Sequence, residues 1–401
     1  MQYMCFLSTR IAYFVMVNML NMSVYFLVQY DDKSYHSMFL NEWFFVFRFE
    51  VMTIKQYLEH AISLAEMVEG QTGVNPPVGA VVVKDGRIIG LGSHLKKGDK
   101  HAEIQAIDMA GNDNVKGATI YVSLEPCSHY GATPPCAQRI IDTGIQKVVY
   151  AARDITLPAT GHKMMADHGI DVQYAPHPRA EQLYASFFTS KTTAHPIVTV
   201  KVSASMDGKQ ATDHHESQWI TSKAVKADVF KLRHMHDAII TGNGTLTADN
   251  PSLTVRTQDG CHPARVILTQ SGNVNWDATL FHDHLAPVYV YTDQPELVSP
   301  FEHVQVVQLP DTAIETVLHD LYTKGFGRVL VEAGPKLTSQ FLASEFISTF
   351  ILYLAPKIIG GQGKYQYFQT DGVTPLDQLN TFEIVHSEMI DTDMKLLMKR
   401  K

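Results

Sequence analysis

The stretch His101-Ala102-Glu103, followed by Pro126-Cys127 and then by Cys136, decides how the first half of this chain folds. One imidazole and two thiolates are the three protein ligands that a catalytic zinc site uses when its fourth position is kept for water. Glu103 supplies the carboxylate that a hydrolytic zinc site needs to move protons. The sequence therefore predicts a zinc ion held by His101, Cys127 and Cys136, with Glu103 as the catalytic proton shuttle.

The spacing of these ligands narrows the chemistry. The pattern H-x-E with P-C-x-x-C is the signature of zinc deaminases, but here the eight residues 128–135 separate the two cysteines. A closed structural zinc site is the alternative, and His129 would then be the fourth ligand that such sites normally have. Glu103 argues against that alternative, because a structural site has no use for a carboxylate beside the metal.

The composition limits the architecture and the partners. A chain of 401 residues is too long for one ordinary domain, and 45% hydrophobic with 18% charged residues is typical of globular proteins. The formal net charge of −8 argues against a broad nucleic-acid-binding surface, which needs clustered lysine and arginine. The four cysteines leave no disulfide framework that would indicate secretion. We therefore expect a cytoplasmic protein of two domains that binds no nucleic acid.

Residues 1–51 differ from the rest of the chain. Residues 11–28 are an uncharged run at the lower limit of length for a membrane span. A basic start and a cleavage site of small residues, which a signal peptide has, are not evident. From Met52 onward the sequence is typical of a soluble enzyme. We interpret 1–51 as a hydrophobic extension translated upstream of the functional start, with a membrane anchor as the alternative.

Hydrophobic periodicity places the candidate ligands at the starts of helices. It predicts helices over 53–69, 102–110 and 136–142, and strands over 78–83, 87–90, 118–123 and 147–151. His101 and Cys136 then lie at two helix N-termini that point toward one place. The partial positive charge of a helix N-terminus favours thiolate and hydroxide over their protonated forms.

A second α/β run follows Ala194-His195-Pro196, which we interpret as a linker after a helix over 179–191. This run has predicted helices over 222–234 and 313–322, and predicted strands over 197–202, 237–241, 265–268, 288–291, 328–331 and 350–354. Strands and helices that alternate in this way are typical of a mostly parallel sheet covered by helices.

Three features of the second half are weak when read alone. Gly242-Asn243-Gly244 lacks the third glycine of a dinucleotide-binding fingerprint, so a plain turn is predicted there. Glu332-Ala333-Gly334-Pro335 follows an apolar strand and precedes a helix, where the glycine and the helix N-terminus would cradle a phosphate. Arg233 and Arg256 are either surface salt-bridge partners or bidentate ligands of a substrate phosphate.

Residues 125–137, with an insert that ends in Thr133-Pro134-Pro135-Cys136, resemble the deaminase half of the bifunctional riboflavin-biosynthesis deaminase/reductase family. This insert distinguishes the family from cytidine, guanine and transfer-RNA deaminases, and we expect it to form a wall of the substrate pocket. The resemblance covers everything from Met52 onward. Its second half rests on the segments 201–208, 216–221, 232–233, 237–239, 244–245, 248–251, 253–256 and 331–335.

The resemblance implies a fold and an activity for each half. Residues 52–175 would form a cytidine-deaminase-like three-layer α/β/α domain, 176–196 a helix and linker, and 197–401 a dihydrofolate-reductase-like α/β domain. The first domain would deaminate 2,5-diamino-6-ribosylamino-4(3H)-pyrimidinone 5′-phosphate, and the second would reduce the ribosyl chain of the product to ribityl. Zinc and NADPH are the implied cofactors. We expect small-molecule substrates, a homo-oligomer joined through the reductase domain, and no membrane partner.

The resemblance also implies roles for individual residues. The expected NADPH contacts are Ala204, Trp219, Thr245, Asp249, Gly334, Pro335, Lys336, Leu337, Thr338, Ser339 and Gln340. The expected substrate contacts are Ser217, Arg233, Leu253, Arg256 and Glu332, and Lys201 and Asp249 are candidates for proton handling. The sequence departs from the family at Thr269-Gln270, where an aspartate and a small polar residue are usual, and this changes the cofactor contact expected at Gln270. It also departs at 154–157, where an Asp-Pro-type turn is usual, and this alters the expected rim of the deaminase pocket.

Two alternatives fit less well. Another zinc nucleobase deaminase, with a non-catalytic second domain, would need a basic channel for its nucleic acid, and this chain is acidic. A non-catalytic binding protein with a structural zinc would leave Glu103 without a role.

Overall fold

The computed structural model describes residues 5–8, 11–18, 22–29, 52–130, 134–156, 161–214, 216–217, 220–256, 262–362, 365–369 and 379–401. The chain divides into two compact units, Met1–Thr53 and Ile54–Lys401. The larger unit contains both predicted α/β halves, and each half is built on its own sheet.

The smaller unit contains three antiparallel strands, β1 (Cys5–Ser8), β2 (Ile11–Asn18) and β3 (Met22–Gln29). β2 and β3 pair along their whole length. Much of the uncharged run over 11–28 is therefore strand, whereas the membrane-anchor alternative requires a single helix. Among the described residues, no helix is long and apolar enough to cross a membrane.

The first half of the larger unit, which we call the deaminase half, has a five-stranded sheet. Its helices are α1 (Ile54–Glu66), α2 (Ala102–Ala110), α3 (Asn112–Val115), α4 (Cys136–Asp142), α5 (Gly161–Asp167) and α6 (Pro178–Thr193). Its strands are β4 (Gly79–Lys84), β5 (Arg87–Ser93), β6 (Thr119–Val122), β7 (Lys147–Tyr150) and β8 (Asp171–Tyr174). The order across the sheet is β5-β4-β6-β7-β8, in which β6 to β8 are parallel and β4 is antiparallel to both neighbours.

Helices cover both faces of this sheet. Successive side chains of a strand point to opposite faces. Ile120 of β6 packs in one buried cluster with Ala106 of α2 and Ile140 of α4. Tyr121, the next residue, points the other way, and its ring lies 4.9 Å from that of Tyr57 in α1. The predicted three-layer α/β/α arrangement is confirmed.

Helix α2 lies directly on β5, and two glycines make this possible. A Cβ at Gly90 would lie 2.1 Å from the carbonyl oxygen of Ala106, and a Cβ at Gly92 would lie 2.1 Å from that of Ala102. Glycine is the one residue type that leaves room for so close an approach. The contact fixes the N-terminus of α2, where His101 is the N-cap.

The second half, which we call the reductase half, has a nine-stranded sheet. Its helices are α7 (Lys223–His234), α8 (Asn243–Asp249), α9 (Ile314–Thr323) and α10 (Pro335–Ala343), with a short 3₁₀ turn at Thr279–Phe281. Its strands are β9 (Ile197–Ser205), β10 (Ala238–Gly242), β11 (Ala264–Leu268), β12 (Val288–Thr292), β13 (Val304–Gln308), β14 (Arg328–Val331), β15 (Ile347–Ala355), β16 (Phe382–Ile390) and β17 (Asp393–Arg400). The order is β13-β12-β11-β10-β14-β9-β15-β17-β16.

Seven strands of this sheet, from β13 across to β15, are parallel, and the last two pairings are antiparallel. Its centre is buried on both faces: Ile240 and Val266 belong to one apolar cluster, and their chain neighbours Ile239 and Ile267 belong to another. Burial on both faces explains the continuous apolar runs in these strands. The prediction of a mostly parallel sheet is confirmed, but the antiparallel strands β16 and β17 were not predicted.

The local predictions succeed where apolar residues recur at a regular period. The helices over 102–110 and 136–142 have the predicted bounds, whereas α1 ends at Glu66 rather than at residue 69. The turn predicted at Gly242-Asn243-Gly244 is wrong, because α8 begins at Asn243 with Gly242 as its N-cap. Leu246 is the one buried residue of α8, so the helix has no apolar stripe for periodicity to detect.

Candidate active sites

The three candidate zinc ligands meet where α2 and α4 begin. Nδ1 of His101 lies 3.2 Å from Sγ of Cys136 and 3.7 Å from Sγ of Cys127, and the three ligand atoms lie within 4.8 Å of one another. His101 is the N-cap of α2, and Cys136 is the first residue of α4. The predicted convergence of two helix N-termini is confirmed.

These distances fit zinc. In a tetrahedral site with zinc–ligand distances of about 2.3 Å to sulfur and about 2.0 Å to nitrogen, the two ligand atoms are about 3.5 Å apart. The observed separations of 3.2 and 3.7 Å lie on either side of that value. His129, the alternative fourth ligand, is exposed and lies outside the group, and no other candidate ligand of the described residues joins it. Three ligands leave one coordination position for a reactant.

Glu103 lies in the first turn of α2 and is buried, with 3% of its surface exposed. Burial, reinforced by the nearby Cys127, raises the pKa of Glu103 to about 7. A carboxyl group with such a pKa accepts and releases a proton readily near neutral pH, which is the requirement for a general acid and base.

The two cysteines have different environments. The thiol of Cys136 and the ring of His101 hydrogen-bond to Cys127, and the backbone N–H of Cys136 donates to its Sγ at 3.3 Å. These interactions lower the pKa of Cys127 well below its ordinary value, even though its burial opposes this. Cys127 is therefore poised as a thiolate, the form that binds a metal.

Two residues beside the metal group were missed in the sequence. The ring of His94 lies edge-on to that of His101, with 5.2 Å between centroids, and Nε2 of His94 lies 3.3 Å from Nδ2 of Asn75. Burial lowers the pKa of His94, which favours its neutral form. Their proximity follows from the register of the β4–β5 hairpin. Gly79 pairs with Ser93, so the residues before β4, which include Asn75, lie near those after β5, which include His94.

The structure describes part of the two segments that were predicted to border the deaminase pocket, 128–135 and 154–157. Of the insert over 128–135, residues 131–133 lie outside the described residues, and Tyr130 is 79% exposed. Its role as a pocket wall stays a prediction. At the departure over 154–157, Oδ1 of Asp154 accepts hydrogen bonds from the N–H and the hydroxyl of Thr156, so this side chain builds a turn where the family usually has an Asp-Pro-type turn.

A cavity of about 590 Å³ in the reductase half lies between β9, α7, α8 and the residues after β14. It brings together all five predicted substrate contacts, namely Ser217, Arg233, Leu253, Arg256 and Glu332. Thr245 and Asp249, two of the predicted cofactor contacts, also line it. The Ser217 hydroxyl donates a hydrogen bond to Asp249 at 2.7 Å, which links the two predicted sets.

Glu332 is held between two cations in this cavity. Arg233 donates to both of its carboxylate oxygens, at 2.6 and 3.0 Å, and Nζ of Lys201 lies 3.6 Å away. A third bond, from Arg233 to the carbonyl of Thr254 at 3.0 Å, completes the binding of the guanidinium. Burial alone would raise the pKa of Glu332, but the attraction of Arg233 and Lys201 is larger and lowers this pKa to about 2. Of the two roles predicted for Arg233, the geometry favours a salt bridge, although a buried rather than a surface one.

Arg256 differs from Arg233 because its guanidinium is not paired with a carboxylate of the described residues. Its guanidinium lies 5.6 Å from the centroid of the Phe230 ring, and it makes no ion pair with any described residue. Its backbone has φ +48°, and that of Leu253 has φ +52°, a region that costs energy for residues with a side chain. The surrounding structure holds this strained loop against the cavity, which is typical of ligand-binding segments.

The predicted phosphate cradle is formed by two helix N-termini. Gly334 is the N-cap of α10, and its N–H donates to the hydroxyl of Thr245, in the first turn of α8, at 2.8 Å. The N-termini of both helices are thereby held side by side, where unsatisfied N–H groups and the helix dipoles favour an anion.

The remaining predicted cofactor residues differ in their exposure and in their hydrogen-bond partners. Lys336 and Gln340 are exposed on α10, whereas Leu337 packs against the apolar core. The hydroxyls of Thr338 and Ser339 donate back to carbonyls at the start of α10, so they are not directed at a ligand. The other members are Pro335, which opens α10, Ala204, which is fully buried in β9, and Trp219, which lies outside the described residues.

Buried polar atoms near this cradle fit a dinucleotide. Oγ1 of Thr241, Oδ1 of Asn243 and Oγ1 of Thr269 are buried without a hydrogen-bond partner in the described part of the chain. They lie where β10 and β11 end, and the crevice beyond the carboxyl ends of parallel strands is where α/β proteins bind nucleotides. Gln270 is exposed next to them, and its altered cofactor contact stays a prediction.

Comparisons with known proteins identify a family for each half of the chain. Residues 52–152 match the family model of the cytidine and deoxycytidylate deaminase zinc-binding region, and residues 196–396 match that of the RibD C-terminal domain. The riboflavin biosynthesis protein RibD of Bacillus amyloliquefaciens is 38% identical over 351 residues, which cover 85% of this chain and 94% of that protein. RibD of Escherichia coli is 34% identical over 78% of this chain and 90% of its own length.

Solved structures give the same result. A diaminohydroxyphosphoribosylaminopyrimidine deaminase/5-amino-6-(5-phosphoribosylamino)uracil reductase from Thermotoga maritima superposes with a TM-score of 0.79 and 35% identity, over 87% of this chain and 99% of that one. RibD of Acinetobacter baumannii gives 0.77 and 33% over 88% of this chain and all of its own. The chain therefore belongs to the RibD family, and it is a bifunctional riboflavin-biosynthesis enzyme with a zinc-dependent deaminase and an NADPH-dependent reductase.

Proposed function

We propose that the deaminase half hydrolyses the amine of 2,5-diamino-6-ribosylamino-4(3H)-pyrimidinone 5′-phosphate, and that the reductase half then reduces the ribosyl chain of the product to ribityl. The observation that carries this proposal is the buried Glu103 beside a three-ligand metal group, in a chain that also holds a polar cavity and a phosphate cradle. The Thermotoga maritima relative is named for both of these reactions.

In the deaminase half, His101, Cys127 and Cys136 would hold the zinc, which would supply an acidified water. Glu103 accepts a proton as the water attacks the amine-bearing ring carbon, and it donates a proton to the departing ammonia. Its pKa of about 7 allows both steps near neutral pH. His94 packs edge-on against the ligand His101 and keeps its ring in place, and Asn75 holds His94 in turn.

In the reductase half, Arg256 takes the substrate phosphate, because it is the uncommitted guanidinium of the cavity wall. Arg233 acts indirectly: it fixes Glu332, which faces the sugar together with Ser217 and Leu253. Burial lowers the pKa of Lys201, which makes it a better proton donor to the reduced sugar. NADPH supplies the hydride when bound. Its phosphates would be held at the two helix N-termini that carry Thr245 and Gly334, and Asp249 lines the cavity in which the sugar would be reduced. Ala204 and Trp219 stay expected contacts of NADPH.

We also propose that two copies of the chain associate through the reductase half. Strand β16 is the edge of its sheet, and none of its residues is buried. Ile384, Val385 and Met389 expose 57%, 47% and 60% of their surface there, and a free edge with apolar side chains favours pairing with another strand. The catalytic domains would be 52–175 and 197–401, joined through 176–196. The lack of nucleic-acid binding agrees with the net charge of −8, and a cytoplasmic location agrees with a sequence of only four cysteines.

One experiment tests both reactions. The full chain is incubated with the diaminopyrimidine substrate with and without NADPH, and the products are separated by chromatography. We expect ammonia and the deaminated ribosyl product without NADPH, and the ribityl product with it. Absence of ammonia would refute the first half of the proposal, and a ribosyl product that persists with NADPH would refute the second.

A further inference from the structure

The turn over residues 69–75 joins α1 to β4 in the deaminase half, yet its first residues contact the reductase half. Nη2 of Arg328, the first residue of β14, lies 2.5 Å from Oε1 of Glu69, and both side chains are partly buried. A Cβ at Gly70 would lie 2.7 Å from the carbonyl oxygen of Met235, which follows α7. The turn is therefore held at the start of β14 and at the end of α7, and α7 and the residues after β14 line the reductase cavity.

The two backbones touch with no space between them. A Cβ at Gly327 would lie 2.2 Å from the carbonyl oxygen of Gly73 and 2.9 Å from the N of Val74. On the reductase side, Oδ2 of Asp237 accepts hydrogen bonds from the N–H groups of Gly327 and Arg328, both at 2.8 Å. The corner that receives the turn is thus fixed from within its own half.

The other end of the turn reaches the metal group. The buried hydroxyl of Thr72 donates to the carbonyl of Asn75 at 2.7 Å, which locks the last four residues of the turn. The side chain of Asn75 lies 3.3 Å from the ring of His94, and that ring packs edge-on against the ligand His101. A continuous series of contacts therefore leads from Arg328 to a zinc ligand.

A second segment follows the same route. Just after His94 in the sequence, Nζ of Lys97 lies 3.1 Å from the position that a Cβ on Gly325 would take. Gly325 and Gly327, which meets Gly73 of the turn, belong to one connection, between α9 and β14. The segments that carry Asn75 and His94 are thus both in contact with that connection.

We propose that the reductase half positions the zinc centre of the deaminase half through the turn over 69–75, with Arg328 as a positioning residue. This inference rests on the proposed deamination at that centre. Release of Glu69 lets the turn relax, Asn75 withdraws from His94, and the ring of His101 loses its support. Zinc is then held less firmly and the substrate is oriented less well, while the reductase cavity keeps all of its lining residues.

The test compares three variants of the full chain. Arg328→Ala removes the contact with Glu69, and Arg328→Lys keeps a cation that can reach it. Arg179→Ala is the matched control, because Arg179 binds both carboxylate oxygens of Glu66, the last residue of α1, at 3.1 and 2.6 Å, and this ion pair lies within the deaminase half. The measurements are ammonia release, reduction with NADPH, and the rate at which a chromogenic chelator removes zinc.

We expect Arg328→Ala to lower kcat/KM of deamination roughly 3- to 10-fold and to speed zinc loss by a similar factor, as for residues that orient metal ligands through others. Arg328→Lys should recover most of the deamination activity and of the zinc retention, and Arg179→Ala should match the wild type in both. The reductase kinetics of all three variants should match those of the wild type. If Arg328→Ala releases ammonia and loses zinc at the wild-type rates, the positioning role is overturned and the proposed function is not. An equal loss in Arg179→Ala, or an equal loss of both activities, would also overturn it. Absence of ammonia from the wild type would instead overturn the proposed function.

Discussion

Replacing Glu332 by glutamine removes the one negative charge between Arg233 and Lys201 and keeps the shape of the side chain. Both cations are largely buried, and Arg233 donates two of its three hydrogen bonds to this carboxylate. Breaking a buried ion pair by removing one partner costs about 3–5 kcal/mol, because the other charge is left uncompensated. We expect Glu332→Gln to lower the free energy of unfolding by about that amount at pH 7.

The pKa of Glu332 gives a second, independent magnitude. A fall from the ordinary 4.5 to about 2 corresponds to about 3 kcal/mol of preference for the ionised form in the folded state. Because the folded-state pKa is the lower one, this contribution is fully present above pH 4.5 and is lost as the pH falls toward 2. The difference between wild type and Glu332→Gln should therefore shrink to about 2 kcal/mol at pH 3.5.

Urea unfolding followed by circular dichroism, between pH 7 and pH 3.5, measures this difference. Glu66→Gln is the control, since Glu66 has the same two-bond pairing with an arginine but lies on the surface with 38% of its side chain exposed. We expect that variant to lose less than about 1 kcal/mol. A loss under about 1 kcal/mol in Glu332→Gln at pH 7, or a difference that does not change with pH, would refute the reasoning.

Three further outcomes follow from the sites. Glu103→Gln should reduce ammonia release roughly 10²- to 10⁴-fold and keep the zinc content measured by atomic absorption, whereas loss of zinc would make Glu103 a ligand. Arg256→Ala should raise the reductase KM roughly 10- to 100-fold, as expected for a lost charged hydrogen bond to phosphate, with deamination kinetics unchanged; an unchanged KM would exclude it from the phosphate site. Ile384→Lys should shift the chain to a monomer in sedimentation measurements, and an unaltered oligomer would exclude β16 as the interface.

The zinc ligands and their supporting helices could be predicted from the sequence because the information is local. His101 and Cys136 each start a helix with a clear apolar period, and the types and order of the ligand residues define the chemistry. Asn75 and His94 were missed because a single polar residue beside a buried strand carries no pattern. Their relation to His101 depends on the register of a hairpin, which the sequence predicts only approximately.

The reductase site could be predicted only in part. Family resemblance predicted five substrate contacts, and the cavity brings these residues together, but the resemblance did not show that the guanidinium of Arg233 is already bound to Glu332. These residues are 99 positions apart, so their pairing depends on how α7 packs against the end of β14. Which of two arginines remains free for a ligand is a property of tertiary packing, and no local signal in the sequence carries it.

The strand order has a consequence for how the enzyme is made on the ribosome. Every strand of the deaminase sheet comes from residues 79–174, so that half is complete long before synthesis ends. Strand β9 emerges next, but its partners β14 and β15 are made more than a hundred residues later. The nascent chain therefore carries an apolar strand with two free edges beside an already folded domain. Chaperone demand should be concentrated in that interval, and early termination should yield a deaminase rather than a reductase.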